Sequence, residues 1–405
     1  MTDFQPGNSE GAHGTDSLAP SAAEPRPIYL DHQATTPVDP RVAEVMVRAM
    51  TEHFGNPNST HHVFGQAAAR VMRDAARSVA ALVEAAPGDV RFTTGASEAI
   101  RLAFAYALER RESSPLIVAA SRVEHPAVLE ELTAGERDGR YRVVWMPVDG
   151  AGRVSLETVV AALKTRIDLL CLMAANNEVG TIQPFAEAAE LAHRAGAEVL
   201  IDATQAAGRL PISVAHGAID YLVMSGHKIY GPKGVGALIG AELGEAPAPE
   251  RLAVHNATPN VPGIAGLGEA CRLRRLEMEA DEVRIARLRD HMQAALQIAI
   301  PGLQVNGAVE HRLAGSLHIS IPGVQNDILV ANLRDIVALS TGAACMSGVD
   351  ASTHVFEGMQ LEDWRLDGAV RIGLGRDTTE ADVDHAVAYI AWTVQDLQTA
   401  VESPA

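Results

Sequence analysis

From Ile28 onward, short apolar runs alternate with longer stretches in which apolar positions recur every three or four residues. The runs at 90–93, 116–120, 141–146, 169–173, 198–201, 221–224 and 235–239 read as strands, because continuous apolar stretches between turn residues suit strands buried on both faces. The stretches at 66–85, 97–110, 126–132, 155–164 and 184–195 carry a single apolar stripe and predict helices. Such alternation predicts an α/β fold with a mostly parallel, seven-stranded sheet covered on both faces. A long helix at 264–299 follows, stopped by Pro301 and Gly302. Beyond it, strands at 316–321, 337–340 and 369–374 with helices at 327–335 and 380–401 predict a smaller α+β unit. The expected division is a tail over 1–25, a large domain over 26–260 whose first segment packs with the small domain, and a small C-terminal domain over 261–405.

A chain of 405 residues with 47% apolar content is long enough for more than one domain and excludes disorder for most of its length. The exception is 1–25, rich in Gly, Ser, Ala and Pro and holding the acids Asp3, Glu10, Asp16 and Glu24, which reads as a disordered tail. With 33 basic against 51 acidic residues, the charge of −18 argues against direct binding of nucleic acid or anionic lipid. Three cysteines, Cys171, Cys271 and Cys345, form neither a disulfide framework nor a metal-type spacing, which fits a reducing cytoplasm. The apolar runs are too short for a membrane span, and the first residues lack the pattern of a signal peptide.

Three motifs at strand ends carry candidate chemistry. At 93–98 (TTGASE) a strand leads through small residues into a helix, so backbone N–H groups around Ala96 and Ser97 can receive an anion such as phosphate; an ordinary turn capped by Ser97 is the alternative. At 198–205 (EVLIDATQ) Asp202 ends a buried strand, where a carboxylate can hold a protonated ring nitrogen or serve as a cap. At 224–236 (MSGHKIYGPKGVG) Lys228 follows an apolar strand, with Ser225 and His227 before it, an environment that desolvates an amine for carbonyl chemistry. A fourth segment, 339–348 (LSTGAACMSG), puts Cys345 among small residues after a short strand. Cys171 lies in an apolar run and Cys271 on the long helix.

In this order the first three motifs resemble a pyridoxal-phosphate enzyme of the aspartate-aminotransferase fold. The resemblance implies phosphate at Ala96 and Ser97, the pyridine nitrogen on Asp202, the 3′ oxygen near Gln205 and the aldehyde bonded to Lys228. With 29–37 (YLDHQATTP), 54–59 (FGNPNS), 124–128 (EHPAV), 176–180 (NNEVG), the Cys345 loop and 370–376 (VRIGLGR), nearly the whole chain beyond the tail resembles the cysteine desulfurases of the iron–sulfur-assembly and nitrogen-fixation type. The likeness implies that His125 stacks on the ring and relays protons, Asn177 contacts cofactor and substrate, and Ser225 and His227 bind at the phosphate. Arg371 is implied to hold the substrate α-carboxylate, a task suited to a guanidinium. One departure falls at 248–260 (APERLAVHNATPN), where relatives carry a glycine-rich loop with an arginine that reaches the partner subunit's phosphate. Here Thr258 takes the threonine's place, and His255 lies where the arginine is missing.

The reaction this resemblance implies takes sulfur from L-cysteine, leaving L-alanine and a persulfide on Cys345 for transfer to an acceptor protein. Lys228 moves the Cα proton and Cys345 attacks as thiolate. A cytoplasmic homodimer is implied as well. A selenocysteine lyase, another class-V aminotransferase-like enzyme, and a non-catalytic sulfur-relay or scaffold protein remain the alternatives at this point.

Overall fold

The computed structural model describes residues 27–110, 115–241, 243–244, 258–341 and 353–402. The tail expected over 1–25 and the Cys345 loop lie outside the described residues. The chain enters through β1 (Ile28–Tyr29), α1 (Pro40–Thr51) and α2 (Val63–Leu82). The α1 start is set by Asp39, whose carboxylate accepts from the Arg41 N–H, and by Pro40 at the first helical position.

The seven apolar runs form one sheet: β2 (Val90–Thr93), β3 (Leu116–Ser121), β4 (Tyr141–Met146), β5 (Leu169–Met173), β6 (Glu198–Asp202), β7 (Tyr221–Ser225) and β8 (Gly236–Ile239), in the order β2-β8-β7-β6-β5-β3-β4. Pairing from β4 through β3, β5 and β6 to β7 is parallel, whereas β8 lies antiparallel to both β7 and β2. The helices between them are α3 (Ala96–Glu109), α4 (Pro126–Arg137), α5 (Leu156–Ala162) and α6 (Phe185–Arg194). Successive strand residues point to opposite faces. Leu170, Leu172, Val199, Ile201 and Leu222 pack with α2, α5 and α6, while Leu169, Cys171, Leu200, Tyr221 and Val223 pack with α3 and α4. Each such buried aliphatic side chain is worth about 1.5–3 kcal/mol over its exposed state, which explains why the strands read as unbroken apolar runs.

The fourth helix runs to Arg137, past the expected end at Leu132. Gly135 within it leaves room for the Tyr141 ring, which lies on it: an added Cβ would stand 1.8 Å from a ring carbon.

Beyond the sheet, α7 (Val261–Ala299) is capped by Asn260. Its first part, with Ile264, Leu267 and Leu273, packs on the sheet core; its last part, with Ile285, Met292 and Leu296, packs in a second core. That second core collects β9 (Gln304–Asn306), β10 (Ser316–Ser320), α8 (Asn326–Leu333), β11 (Val337–Ala338), β12 (Ala369–Gly373) and α11 (Glu380–Glu402) around an antiparallel β12-β10-β9 sheet. Between β11 and β12, α9 (Thr353–Met359) packs Val355 and Met359 against Val123 and Val179 in a small cluster of its own, and α10 (Asp363–Asp367) buries no residue. Leu30 belongs to the same core, and β1 pairs in parallel with β11. The run expected as a strand over 337–340 pairs only through Val337 and Ala338, and Ser340 instead bridges to Arg371.

Candidate active site

The carboxyl ends of β2, β5, β6 and β7 open onto a cavity of about 650 Å³, the edge at which open α/β sheets receive ligands. Ala96 and Ser97 from the start of α3, His125 from the start of α4, and Asn177 beyond β5 all line it. Asp202 and Gln205 from the end of β6, with Ser225, His227 and Lys228 from the end of β7, line it as well, as expected from the sequence.

Lys228 is buried, and its ammonium donates to the main-chain oxygens of Gln33 (2.5 Å) and Ala34 (2.8 Å). A turn of 3₁₀ helix at 226–228 aims it there immediately after β7. Asp202 closes β6 with its Oδ1 held by the Thr204 N–H (2.9 Å) and hydroxyl (2.5 Å), which fixes the plane of the carboxylate. Gln205 donates to the Gln33 carbonyl (3.0 Å) and accepts from Arg209 (3.2 Å).

At the other strand end the cap of α3 is Gly95, with φ 152°, a backbone state L-residues rarely adopt. Ser97 is therefore a first-turn residue and not the cap. The Glu98 carboxylate turns back to accept from the Thr94 N–H (2.6 Å) and hydroxyl (2.7 Å), closing the loop. The N–H groups of Ala96 and Ser97 have no acceptor within the helix, so the positive end of α3 is presented at the cavity wall.

His125 caps α4 by accepting the Ala127 N–H at Nδ1 (3.1 Å), so its neutral ring carries the proton on Nε2. Burial holds its pKa below the usual value, opposed by the Asp202 carboxylate and reinforced by Lys228. His227 is pushed down to about 4 by burial, then by Lys228 and Lys233, and is neutral at pH 7; its Nδ1 lies 3.2 Å from the Thr35 hydroxyl. Beneath His125, Glu124 is wholly buried and takes a 2.5 Å hydrogen bond from the Ser121 hydroxyl; burial pushes its carboxyl up to about 8.

Arg371 stands behind the wall of the cavity. It is 1% exposed on β12 and donates to the Asn177 carbonyl (3.3 Å) and the Asp31 carboxylate (2.9 Å). Thr258 is exposed ahead of α7 and does not line the cavity. Cys345 lies outside the described residues; the flanks of its segment are tied beside the site, Ser340 to Arg371 and His354 to the Glu124 carbonyl (3.1 Å). Cys171 and Cys271 are both fully buried, and burial drives both thiols upward, away from thiolate.

Several lining residues went unmarked in the sequence: Ala34, Thr35, Arg101, Thr204 and Lys233. Thr204 and Lys233 fell inside or beside quoted motifs. Ala34 and Thr35 come from the entering segment quoted as 29–37; Ala34 acts through its main-chain oxygen and Thr35 through its hydroxyl at His227.

The arrangement can be compared with known proteins. Residues 28–386 match the aminotransferase class-V family, whose enzymes work with pyridoxal phosphate. The cysteine desulfurase IscS of Anaeromyxobacter dehalogenans (strain 2CP-C) is 37% identical over 381 residues, covering 92% of this chain and 93% of that protein. A NifS-like protein of solved structure superposes with a TM-score of 0.80 at 30% identity, over 93% of this chain and 99% of that one. The structure of SspA in complex with cysteine has a TM-score of 0.72 at 27% identity, over 87% and 100%. No helix among the described residues is long and apolar enough to cross a membrane. Identity of this extent on a shared fold places the chain, as an enzyme, in the cysteine desulfurase family of the class-V aminotransferases.

Proposed function

We propose that the protein removes sulfur from L-cysteine with pyridoxal phosphate held in the cavity, releasing L-alanine and leaving a persulfide on Cys345 for an acceptor protein. The observation that carries this reading is the buried Lys228 amine in the same cavity as the Asp202 carboxylate and the N-terminus of α3. The donor set fits the cofactor: N–H groups, Ser97 and Ser225 suit a phosphate, and a carboxylate oriented by Thr204 suits a protonated ring nitrogen. When bound, pyridoxal phosphate supplies an electron sink for charge left at the substrate Cα.

The remaining roles fall to the chain. Lys228, on leaving the Gln33 and Ala34 carbonyls, takes the proton from the substrate Cα and returns it. Asp202 keeps the ring nitrogen protonated. His125, with its proton on Nε2, covers the ring and passes protons. Arg371 binds the substrate carboxylate, with Asn177 linked to it through a backbone hydrogen bond. The Cys345 thiolate attacks the substrate sulfur: the S–S bond forms as the Cβ–S bond breaks, and the carbon is protonated to give alanine. Burial of Cys171 and Cys271 leaves Cys345 as the thiol for this step. Thr258, exposed ahead of α7, serves the phosphate of a second copy of the chain in a homodimer, the role its resemblance implies.

The test supplies pyridoxal phosphate and compares L-cysteine, selenocysteine and amino-acid/keto-acid pairs. Alanine and sulfide from L-cysteine, lost in Lys228→Ala together with the cofactor's visible absorbance, support the reading. Transamination without sulfur release contradicts it.

A further inference from the structure

Three cationic side chains line the cavity, Arg101, Lys228 and Lys233, against two carboxylates, Glu98 and Asp202. This local excess of positive charge runs against a chain with 51 acids and 33 bases. Lys228 is engaged by the Gln33 and Ala34 carbonyls, and His227 is neutral at pH 7, so Arg101 and Lys233 are the cations left for an anion.

Arg101 stands on α3 four positions after Ser97 and so on the same helix face. Helical side chains lean toward the N-terminus, which carries the Arg101 guanidinium back toward the first turn. Neither Arg101 nor Lys233 makes a hydrogen bond or ion pair with a described residue. Glu98, three positions earlier and a natural helical partner for Arg101, gives its carboxylate to Thr94 instead. A cation near the positive end of a helix, facing a lysine on the same wall, is unfavourable by itself. It becomes favourable once a dianion is bound between them.

We propose that Arg101 is a phosphate-binding residue of this enzyme, supplying from α3 of the same chain a positive charge that holds the cofactor phosphate. The planar guanidinium suits this task, because it can give two parallel N–H donors to phosphate oxygens. The inference rests on the pyridoxal-phosphate reading above, and it makes the phosphate site electrostatically self-sufficient within one chain.

The test titrates cofactor-stripped protein with pyridoxal phosphate and, separately, with pyridoxal, which lacks the phosphate, following the visible absorbance of the bound ligand. Arg101→Ala weakens pyridoxal phosphate by about ten-fold, as loss of one charge-assisted hydrogen bond implies. It leaves pyridoxal within about two-fold of wild type, since an exposed side chain contributes little to the fold. Arg101→Lys, which keeps the charge, falls between. Unchanged affinity for pyridoxal phosphate in Arg101→Ala, or equal losses for the two ligands, overturns the role of Arg101 while leaving the function intact. A wild type that takes up neither ligand overturns the function, and this role with it.

Discussion

The ammonium of Lys228 donates to the main-chain oxygen of Gln33 at 2.5 Å, joining the end of β7 to a segment 195 residues earlier. The same oxygen accepts from Gln205, so one backbone carbonyl positions two residues of the site. The Gln33 side chain is buried and donates to the Ser316 hydroxyl at 2.9 Å, which anchors that carbonyl to β10. Gln33→Ala removes the anchor. It is expected to cost about 1–3 kcal/mol in urea unfolding and to lower kcat for alanine formation several-fold without touching the substrate.

Asp202 is the next point of leverage. Asp202→Asn keeps the shape that Thr204 holds but removes the negative charge. Pyridoxal phosphate should remain bound, while alanine formation falls by about 100-fold or more, the scale of losing a preorganised charge at the reacting group. A variant with wild-type kcat would remove Asp202 from the chemistry.

Buried titrating groups set the pH dependence of stability. Burial holds His32, His125, His227 and His318 below their usual value, His227 down to about 4 and His318 down to about 3. The folded chain thus binds fewer protons than the unfolded chain below about pH 6.5, and this stability is lost as pH falls from 6.5 toward 4. Glu124 and Glu178 act in the opposite sense. Burial pushes both up to about 8, so stability is lost as pH rises from about 4.5 through 8. The melting midpoint should peak near pH 6.5, where the histidines are no longer penalised. Glu124→Gln, which needs no proton to stay neutral, should gain on wild type by about 3–4 kcal/mol as pH rises from 5 to 8.

The two described thiols are packing residues. Cys171→Ala and Cys271→Ala each leave a small cavity and should cost about 1 kcal/mol of stability. Alanine formation per folded molecule should stay at the wild-type rate. A Cys171→Ala or Cys271→Ala enzyme that folds but forms no persulfide would assign the sulfur step to the wrong thiol.

The sheet was legible because its strands are buried on both faces and therefore written as unbroken apolar runs, and Lys228 and Asp202 were legible because each follows such a run. Strand direction was not, since an apolar run carries no polarity, and the antiparallel β8 emerged only in the structure. The helix α1 was missed although Val42, Val45, Met46 and Ala49 mark a stripe at helical spacing on the face it turns to the core. The pairs of β1 with β11 involve two residues each, below the length at which alternation can be read. Within the site, the carbonyls of Gln33 and Ala34 act through the backbone, which no side chain announces. Arg101 resembles a solvated helix residue in sequence and gains meaning only from the cavity it faces.

The most direct test of the account follows the sulfur itself. The enzyme loaded with pyridoxal phosphate is given L-cysteine labelled on sulfur, without reductant, and the labelled persulfide is mapped by peptide mass. The label is predicted on Cys345 alone, and Cys345→Ala should bind cofactor but yield neither the persulfide nor sustained alanine release when a thiol reductant is added. Label on Cys171 or Cys271, or undiminished alanine and sulfide release by Cys345→Ala, would contradict it.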